Sequence, residues 1–206
     1  MEFSRARFSS PACLAHEFES GAVDPQQTLD VARWRKAQRE RLLAERRLLH
    51  ATGRQAAASA IAARLEEALT ERFGGLDGLI VSAWWPIKAE LDLRSWLADL
   101  VARGVSVALP VVVEQHAPLH FRAWTPETRM ERGVWNIPVP AEGDELHPQA
   151  VLAPVVGYDD ARFRLGYGGG YFDRTLAARS PRPFTIGVGL AAARLPTIYP
   201  QPHDIP

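Results

Sequence analysis

The run Leu79-Ile80-Val81-Ser82-Ala83-Trp84, with the amphipathic stretch and second apolar run behind it, constrains this chain more than any other feature. The first run is short, apolar and closed by Pro86, the pattern of a strand buried on both faces. Leu93, Trp96, Leu97, Leu100 and Val101 then recur along one face of a helix, which Gly104 ends. Val105-Ser106-Val107-Ala108-Leu109 supplies the next strand. Strand, helix and strand in this order predict a parallel pair with a right-handed crossover, in a sheet that needs helices on its faces.

The flanking sequence extends the pattern. Gln27 to His50 reads as a helix carrying Val31, Trp34, Leu42, Leu43 and Leu49 among many charges. Ala58, Ile61, Leu65, Leu69 and Phe73 mark a second helix, ended by Gly74 and Gly75. Leu119 to Trp124, Ala150 to Val156 and Phe184 to Leu190 are candidate strands. The expected fold class is α/β: a single three-layer domain, its mostly parallel sheet covered by helices on both faces, with an N-terminal helical pair. Residues 1–26 lack a period and read as a disordered N-terminal extension, leaving 27–206 as the domain.

Charge and cysteine usage narrow the function classes. Acidic and basic residues balance at 24 each, so nucleic-acid binding by a broad basic field is not the first expectation. Lys36 and Lys88 are the only lysines, so nearly all positive charge is arginine, which forks onto carboxylates or phosphates. A codon bias toward arginine would look the same. Cys13 is the only cysteine, which fits a reducing compartment. No stretch reaches membrane-span length, and Met1 to His16 lack the apolar core of a secretory signal. A soluble, cytoplasmic protein without nucleic-acid or membrane partners is expected.

The segment richest in chemistry is Arg164-Leu165-Gly166-Tyr167-Gly168-Gly169-Gly170-Tyr171-Phe172-Asp173-Arg174. It follows a predicted strand and opens a helix over Tyr171 to Ala178. Its glycines let the backbone take positive φ and approach a ligand. Successive N–H groups at a helix start suit a phosphate, and Arg164 and Arg174 bracket the loop with matching charge. It is not a P-loop, and a G-x-G-x-x-G reading from Gly166 fails at Tyr171. A ligand-free glycine-rich turn is the plain alternative.

This run resembles the signature of the 5-formyltetrahydrofolate cyclo-ligase family, also called methenyltetrahydrofolate synthetase. The usual bacterial form has tyrosine where this chain has Phe172. Weaker similarity runs from about Arg33 to the end: Trp85-Pro86, Glu90 and Asp92 resemble a folate-holding element, and His203-Asp204 a C-terminal His-Asp. Ile137-Pro138-Val139-Pro140 resembles Ile-Pro-Glu-Pro, with Val139 replacing the acid. Family members usually continue for a short segment beyond the place where this chain ends, Pro206.

The resemblance implies conversion of 5-formyltetrahydrofolate, polyglutamylated or not, and ATP to 5,10-methenyltetrahydrofolate, ADP and phosphate, with Mg²⁺. It implies catalytic roles for Arg164 and Asp173, and nucleotide contacts from Arg35, Arg39 and Arg164 to Phe172 (Leu165, Gly166, Tyr167, Gly168, Gly169, Gly170 and Tyr171 among them). It places folate against Trp85, Glu90 and Tyr171, and Mg²⁺ at Asp173 and Asp204.

Each assignment has a plainer rival. Asp173 and Glu90 suit the first turn of a helix, and Trp85 suits the core. Arg35 and Arg39, four apart on one helical face, suit a solvated surface, and Lys36 stands for Arg35 if the register slips. A paralogue that binds nucleotide without turning over folate, and a nucleotide- or sugar-phosphate-sensing module, are the rival functions. A monomer or small homo-oligomer is expected. His116 and His120 are separated by Pro118 and form no metal pattern.

Overall fold

The structure, a computed structural model, describes residues 25–206, so the extension proposed for residues 1–26 lies outside the described residues except for Pro25 and Gln26. The chain divides into two compact units, Met1–Trp34 and Arg35–Pro206. The described part of the first is helical, with an Arg33–Asp30 ion pair one turn apart. The second contains the sheet and every residue of the candidate site.

Helices are α1 (Pro25–Leu48), α2 (Ala51–Phe73), α3 (Arg94–Ala102) and α4 (Tyr171–Ala178). The strands are β1 (Ile80–Ser82), β2 (Ser106–Val111), β3 (His120–Ala123), β4 (Met130–Arg132), β5 (Pro138–Pro140), β6 (Ala150–Pro154), β7 (Gly157–Tyr158), β8 (Arg164–Leu165) and β9 (Phe184–Val188). Helix α1 opens at Pro25, whose missing N–H costs nothing at a helix start. Helix α2 closes on Gly74 at φ 75°, whose N–H returns to Thr70 O.

The central sheet has five strands in the order β3-β2-β1-β6-β9. Strands β2, β1, β6 and β9 run parallel, and β3 closes one edge antiparallel to β2. Adjacent residues of each strand serve opposite faces. Val81, Val107 and Leu152 pack against Leu65 and Leu69 of α2 and Leu97 and Leu100 of α3. Ala108, Val151 and Phe121 face the other way, against Tyr171 and Phe172 of α4. Helices therefore cover both faces, as the strand pattern required.

Two small hairpins depart from the sequence reading. Strands β4 and β5 pair antiparallel, so the Pro-rich stretch is an ordered ribbon in which Val139 is buried. A Cβ on Gly133 would lie 3.0 Å from the Val139 methyls, so the valine that replaces an acid fills a packed position. Strands β7 and β8 form a second hairpin between β6 and the glycine loop. Buried Asp159 holds its turn by accepting from Phe163 N–H, and also accepts from Ile198 N–H of the C-terminal segment.

The chain leaves β1 toward β2 on one side, while β6 flanks β1 on the other. Open α/β sheets bind ligands at such a switch point, outside the carboxyl ends of the strands. The segments after β1 and β6, Ala83 to Glu90 and Val155 to Gly170, carry the candidate site.

Helix α1 is set against this region through Gly157. A Cβ there would lie 2.8 Å from Leu42 Cδ1 and 3.2 Å from the Ala193 carbonyl. The carbonyl belongs to backbone and yields little. Gly157→Ala is therefore expected to destabilise by about 1–3 kcal/mol, read as a lower urea midpoint at unchanged slope.

Candidate active site

The glycine loop joins β8 to α4. Gly168 (φ 100°) and Gly170 (φ 64°) take left-handed backbone, which favours glycine at both. Gly169 does not: a Cβ there would instead meet the Tyr171 ring at 2.9 Å. Among the described residues no backbone N–H from Gly166 to Asp173 donates to a protein acceptor, while Arg174 N–H closes the first turn onto Gly170 O. A row of free donors at a helix start is an anion cradle.

Three arginines differ in what they hold. Arg39 donates its Nε–H to Gly166 O at 2.7 Å, and its guanidinium carbon lies 3.6 Å from the Cβ position of Gly168. Its two outer nitrogens have no partner among the described residues. Burial and the charge of Arg35 lower its pKa. Arg35 is buried and committed to Ile198 O (2.9 Å), Tyr199 O (2.8 Å) and Asp204. Arg164 binds Asp173 at 2.7 Å and Ile205 O at 2.7 Å. Lys36 is exposed, so the inward pair is Arg35 and Arg39.

Of the two arginines expected to bracket the loop, Arg164 turns into its base. Arg174 caps the Gly169 carbonyl and lies 4.8 Å over the Tyr171 ring. Arg39 is the arginine set against Gly168, with outer donors that no described residue takes.

The carboxylates follow from these pairings. Asp173 Oδ1 accepts from Arg164 and from Ile205 N–H at 3.1 Å; among the described residues Oδ2 takes no donor. Burial would raise Asp204, but the Arg35 hydrogen bond and Gln201 N–H carry it below the ordinary value. Both its oxygens are occupied. Among the described residues no three His, Cys, Asp or Glu side chains gather at one point.

Glu90 lies at the other end of the site and is only 7% exposed. Its segment turns through Lys88 (φ 48°) and Ala89 (φ 60°), both left-handed, closed by Glu90 N–H to Ile87 O. Glu90 Oε2 accepts from Ile87 N–H at 2.8 Å, and Oε1 accepts from the Tyr167 hydroxyl at 2.7 Å. Arg46 of α1 donates to that same hydroxyl. Burial pushes the Glu90 carboxyl up, against the pull of Ile87 N–H, Tyr167 and the charge of Arg46. Burial and the Glu90 charge raise the Tyr167 phenol.

A cavity of about 130 Å³ opens beside Glu90, lined by Leu42, Arg46, Trp84, Val155, Val188 and Leu190 among others. Among the described residues Arg46 Nε is buried there without a hydrogen-bond partner, and the Trp84 indole, buried beside Glu90, helps hold that carboxyl down.

Of the neighbouring tryptophans, Trp84 shares this cavity with Glu90. Trp85 turns to a separate groove with Trp124 and Met130 and stacks under Arg94 at 4.7 Å. Sequence reading also passed over Trp135. It is 64% exposed at φ 56°, and its ring meets Tyr171 edge-on at 5.4 Å. An exposed tryptophan on a left-handed backbone is a site signal, but φ is invisible in sequence.

A model of the 5-formyltetrahydrofolate cyclo-ligase family matches residues 31–206. The chain belongs to that family. It is thereby an enzyme of the ligase class. The 5-formyltetrahydrofolate cyclo-ligase of Mycolicibacterium smegmatis is 32% identical over 149 residues, covering 68% of this chain and 77% of that protein. The Haemophilus influenzae protein of the same name is 29% identical over 120 residues, covering 54% and 62%. In fold, the chain is similar to 5,10-methenyltetrahydrofolate synthetase of Aquifex aeolicus, with TM-score 0.67 and 23% identity over 84% of this chain and 86% of that one. The synthetase of Mycoplasma pneumoniae gives TM-score 0.66 and 20% identity over 83% and 93%.

The raised Glu90 pKa carries a stability signature. A carboxyl raised on folding favours the native state below its unfolded pKa, near 4.5, and loses that advantage as pH rises through the folded value. Glutamine keeps an acceptor for Ile87 N–H and never ionises. Glu90→Gln is therefore expected to match the ligand-free parent below about pH 4.5. It should exceed the parent increasingly as pH rises, reaching a plateau above the folded pKa. Urea midpoints measured from pH 4 to pH 8 check this.

Proposed function

We propose that this chain uses ATP to close 5-formyltetrahydrofolate into 5,10-methenyltetrahydrofolate, releasing ADP and phosphate. The observation that carries the reading is the row of unpaired N–H groups from Gly166 to Asp173 with Arg39 set against it. Such a cradle holds phosphates by position and charge, which is most of what phosphoryl transfer asks of a protein. Buried Glu90 supplies the second half of the site. A pterin presents an amino group and a ring N–H side by side, and a carboxylate accepts from both.

The chemistry explains why two ligands are needed. A formamide oxygen is a poor leaving group. Attack of that oxygen on the γ-phosphorus forms an O–P bond and expels ADP. The N10 nitrogen then attacks the activated formyl carbon, loses its proton, and phosphate departs with the former formyl oxygen. In this reading the loop and Arg39 hold the triphosphate, Glu90 fixes the pterin, and Tyr171 and Trp135 offer an aromatic wall to the rest of the folate. These groups act by positioning, which converts an encounter of two ligands into a near-unimolecular step.

The residues fit Mg²⁺ as an ion that arrives with the nucleotide. Asp173, with Oδ2 free, would hold it together with phosphate oxygens and water, the usual surroundings of this ion. When bound it would neutralise charge on the phosphates. Asp204 contributes through Arg35.

The departures from the family pattern do not favour a paralogue without turnover. Val139 packs on Gly133, and Phe172 packs with the α4 face of the sheet, so both substitutions are answered by packing. Among the described residues no helix is long and apolar enough to cross a membrane, and we place the reaction in the cytoplasm. The direct test mixes purified protein, 5-formyltetrahydrofolate, ATP and Mg²⁺ and follows the absorbance of methenyltetrahydrofolate. Growth that requires ATP and yields ADP supports the reading; AMP and pyrophosphate, or no growth, overturn it.

The basic pair separates by its partners. Arg39→Gln is expected to raise the Michaelis constant for ATP at least tenfold, about 1.4 kcal/mol, with a stability loss of only about 1 kcal/mol. Arg35→Gln strands buried Asp204 and should instead cost about 3–5 kcal/mol of stability. Urea midpoints beside steady-state kinetics for the two variants check the contrast.

A further inference from the structure

The buried chain Arg46–Tyr167–Glu90 joins parts of the site that the reaction uses separately. Tyr167 belongs to the glycine loop, yet its hydroxyl reaches out of the loop to Glu90 Oε1 at 2.7 Å. Arg46, 8% exposed, donates to the same hydroxyl from α1, with its guanidinium 5.8 Å over the phenol ring. Lys88, on the strained turn before Glu90, lies 5.1 Å over that ring. A phenol between a guanidinium and a carboxylate has one arrangement that satisfies all three: Arg46 donates to the Tyr167 hydroxyl, which in turn donates its own O–H to Glu90.

We infer that Arg46 and Tyr167 are positioning residues that couple the two ligand sites, so that a nucleotide held by the loop fixes the carboxylate that receives folate. Three observations carry this. The only side-chain oxygen of the loop is the Tyr167 hydroxyl, and it is committed to Glu90. The N–H groups flanking Tyr167 are free for a phosphate, so a nucleotide that orders this backbone also orders the tyrosine. Finally, the turn behind Glu90 holds two left-handed non-glycine residues, so the carboxylate is aimed by strain that the hydroxyl helps to sustain. The other charged groups bordering Glu90 are Glu45 of α1, Arg54 of α2, Lys88 and Asp92 on either side of it, and Arg94 at the start of α3. Among these and Arg46, only Arg46 also bonds the loop.

Coupling of this kind is reciprocal and measurable. The inference rests on the folate reading above. Binding of 5-formyltetrahydrofolate is measured by calorimetry with and without the β,γ-imido analogue of ATP plus Mg²⁺, and analogue binding with and without folate. Wild type is expected to bind folate at least about fivefold tighter with the analogue present. In Tyr167→Phe, which keeps the ring, that factor should fall to between one and two. The pH at which folate affinity falls on the acid side should rise, because Glu90 loses a hydrogen bond to its ionised form. Arg46→Gln leaves the loop sequence intact and should also abolish the coupling, whereas Arg46→Lys should retain part of it.

Wild type that binds the two ligands independently overturns the inference, as does a Tyr167→Phe or Arg46→Gln protein that keeps the full factor. Equal weakening of both ligands with coupling unchanged assigns these residues to folding alone and also overturns it. Should Tyr167→Phe fail to fold, the Arg46 variants decide. Absence of folate binding by wild type overturns the folate reading together with this one.

Discussion

Buried guanidinium groups must find acceptors, and in this chain that requirement ties four segments into one frame. Arg35 from α1 holds Asp204 and two carbonyls near the C-terminus, while Arg164 from β8 holds Asp173 of α4 and the Ile205 carbonyl. None of these segments can shift alone without stranding a charge, at a cost of about 3–5 kcal/mol. The glycine loop spans the gap between β8 and α4, so both its ends are fixed by the Arg164–Asp173 pair. The glycines between supply the unusual backbone angles, and their N–H donors are held between two fixed supports.

Strain appears where the frame aims a side chain. Lys88 and Ala89 turn Glu90 inward, and Trp135 and Asn136 present the Trp135 ring to Tyr171. Left-handed backbone at a non-glycine residue costs of order 1–3 kcal/mol and persists only where the surroundings over-determine it. For Glu90 those surroundings are Ile87 N–H, the Glu90 N–H bond to Ile87 O and the Tyr167 hydroxyl. Burial meanwhile works against its charge. A sequence selected for stability alone would have glycine at Ala89 and a neutral residue at position 90.

Much of the frame was readable from residue order because periodicity reports burial. The alternation of Val107 and Ala108, or Val151 and Leu152, between two helix layers follows from a strand's period. The glycine loop was legible because its composition has few other uses. What escaped depended on direction. Trp84 and Trp85 are adjacent, and one residue decides whether an indole faces Glu90 or Arg94. The β7–β8 hairpin has strands of two residues each, too short for any periodicity to register. Gly169 reads like its neighbours, yet it is glycine because Tyr171 crowds it, while Gly168 and Gly170 need positive φ. Trp135 sat in plain view beside a recognised Pro-rich element, but only its φ and exposure distinguish it from a core tryptophan.

The arginine bias acquires a physical reading at Arg35, the first of the inward-facing basic pair on α1. A lysine ammonium is a compact point charge on a flexible stem, suited to follow a phosphate. A guanidinium presents donors along a rigid fork, and Arg35 uses Nε and both outer nitrogens on Ile198 O, Tyr199 O and Asp204. No lysine can satisfy that set from one position, because its three donors diverge from a single atom. Arginine at this place therefore commits the position to holding the C-terminal segment. In the function proposed above, the task of meeting the nucleotide falls to Arg39, one turn on, which anchors itself by Nε to Gly166 O and, among the described residues, keeps both outer nitrogens free. On that proposal the same residue type serves as clamp and as ligand-binding group on one helix, and the difference lies in how many of its donors the fold has already taken.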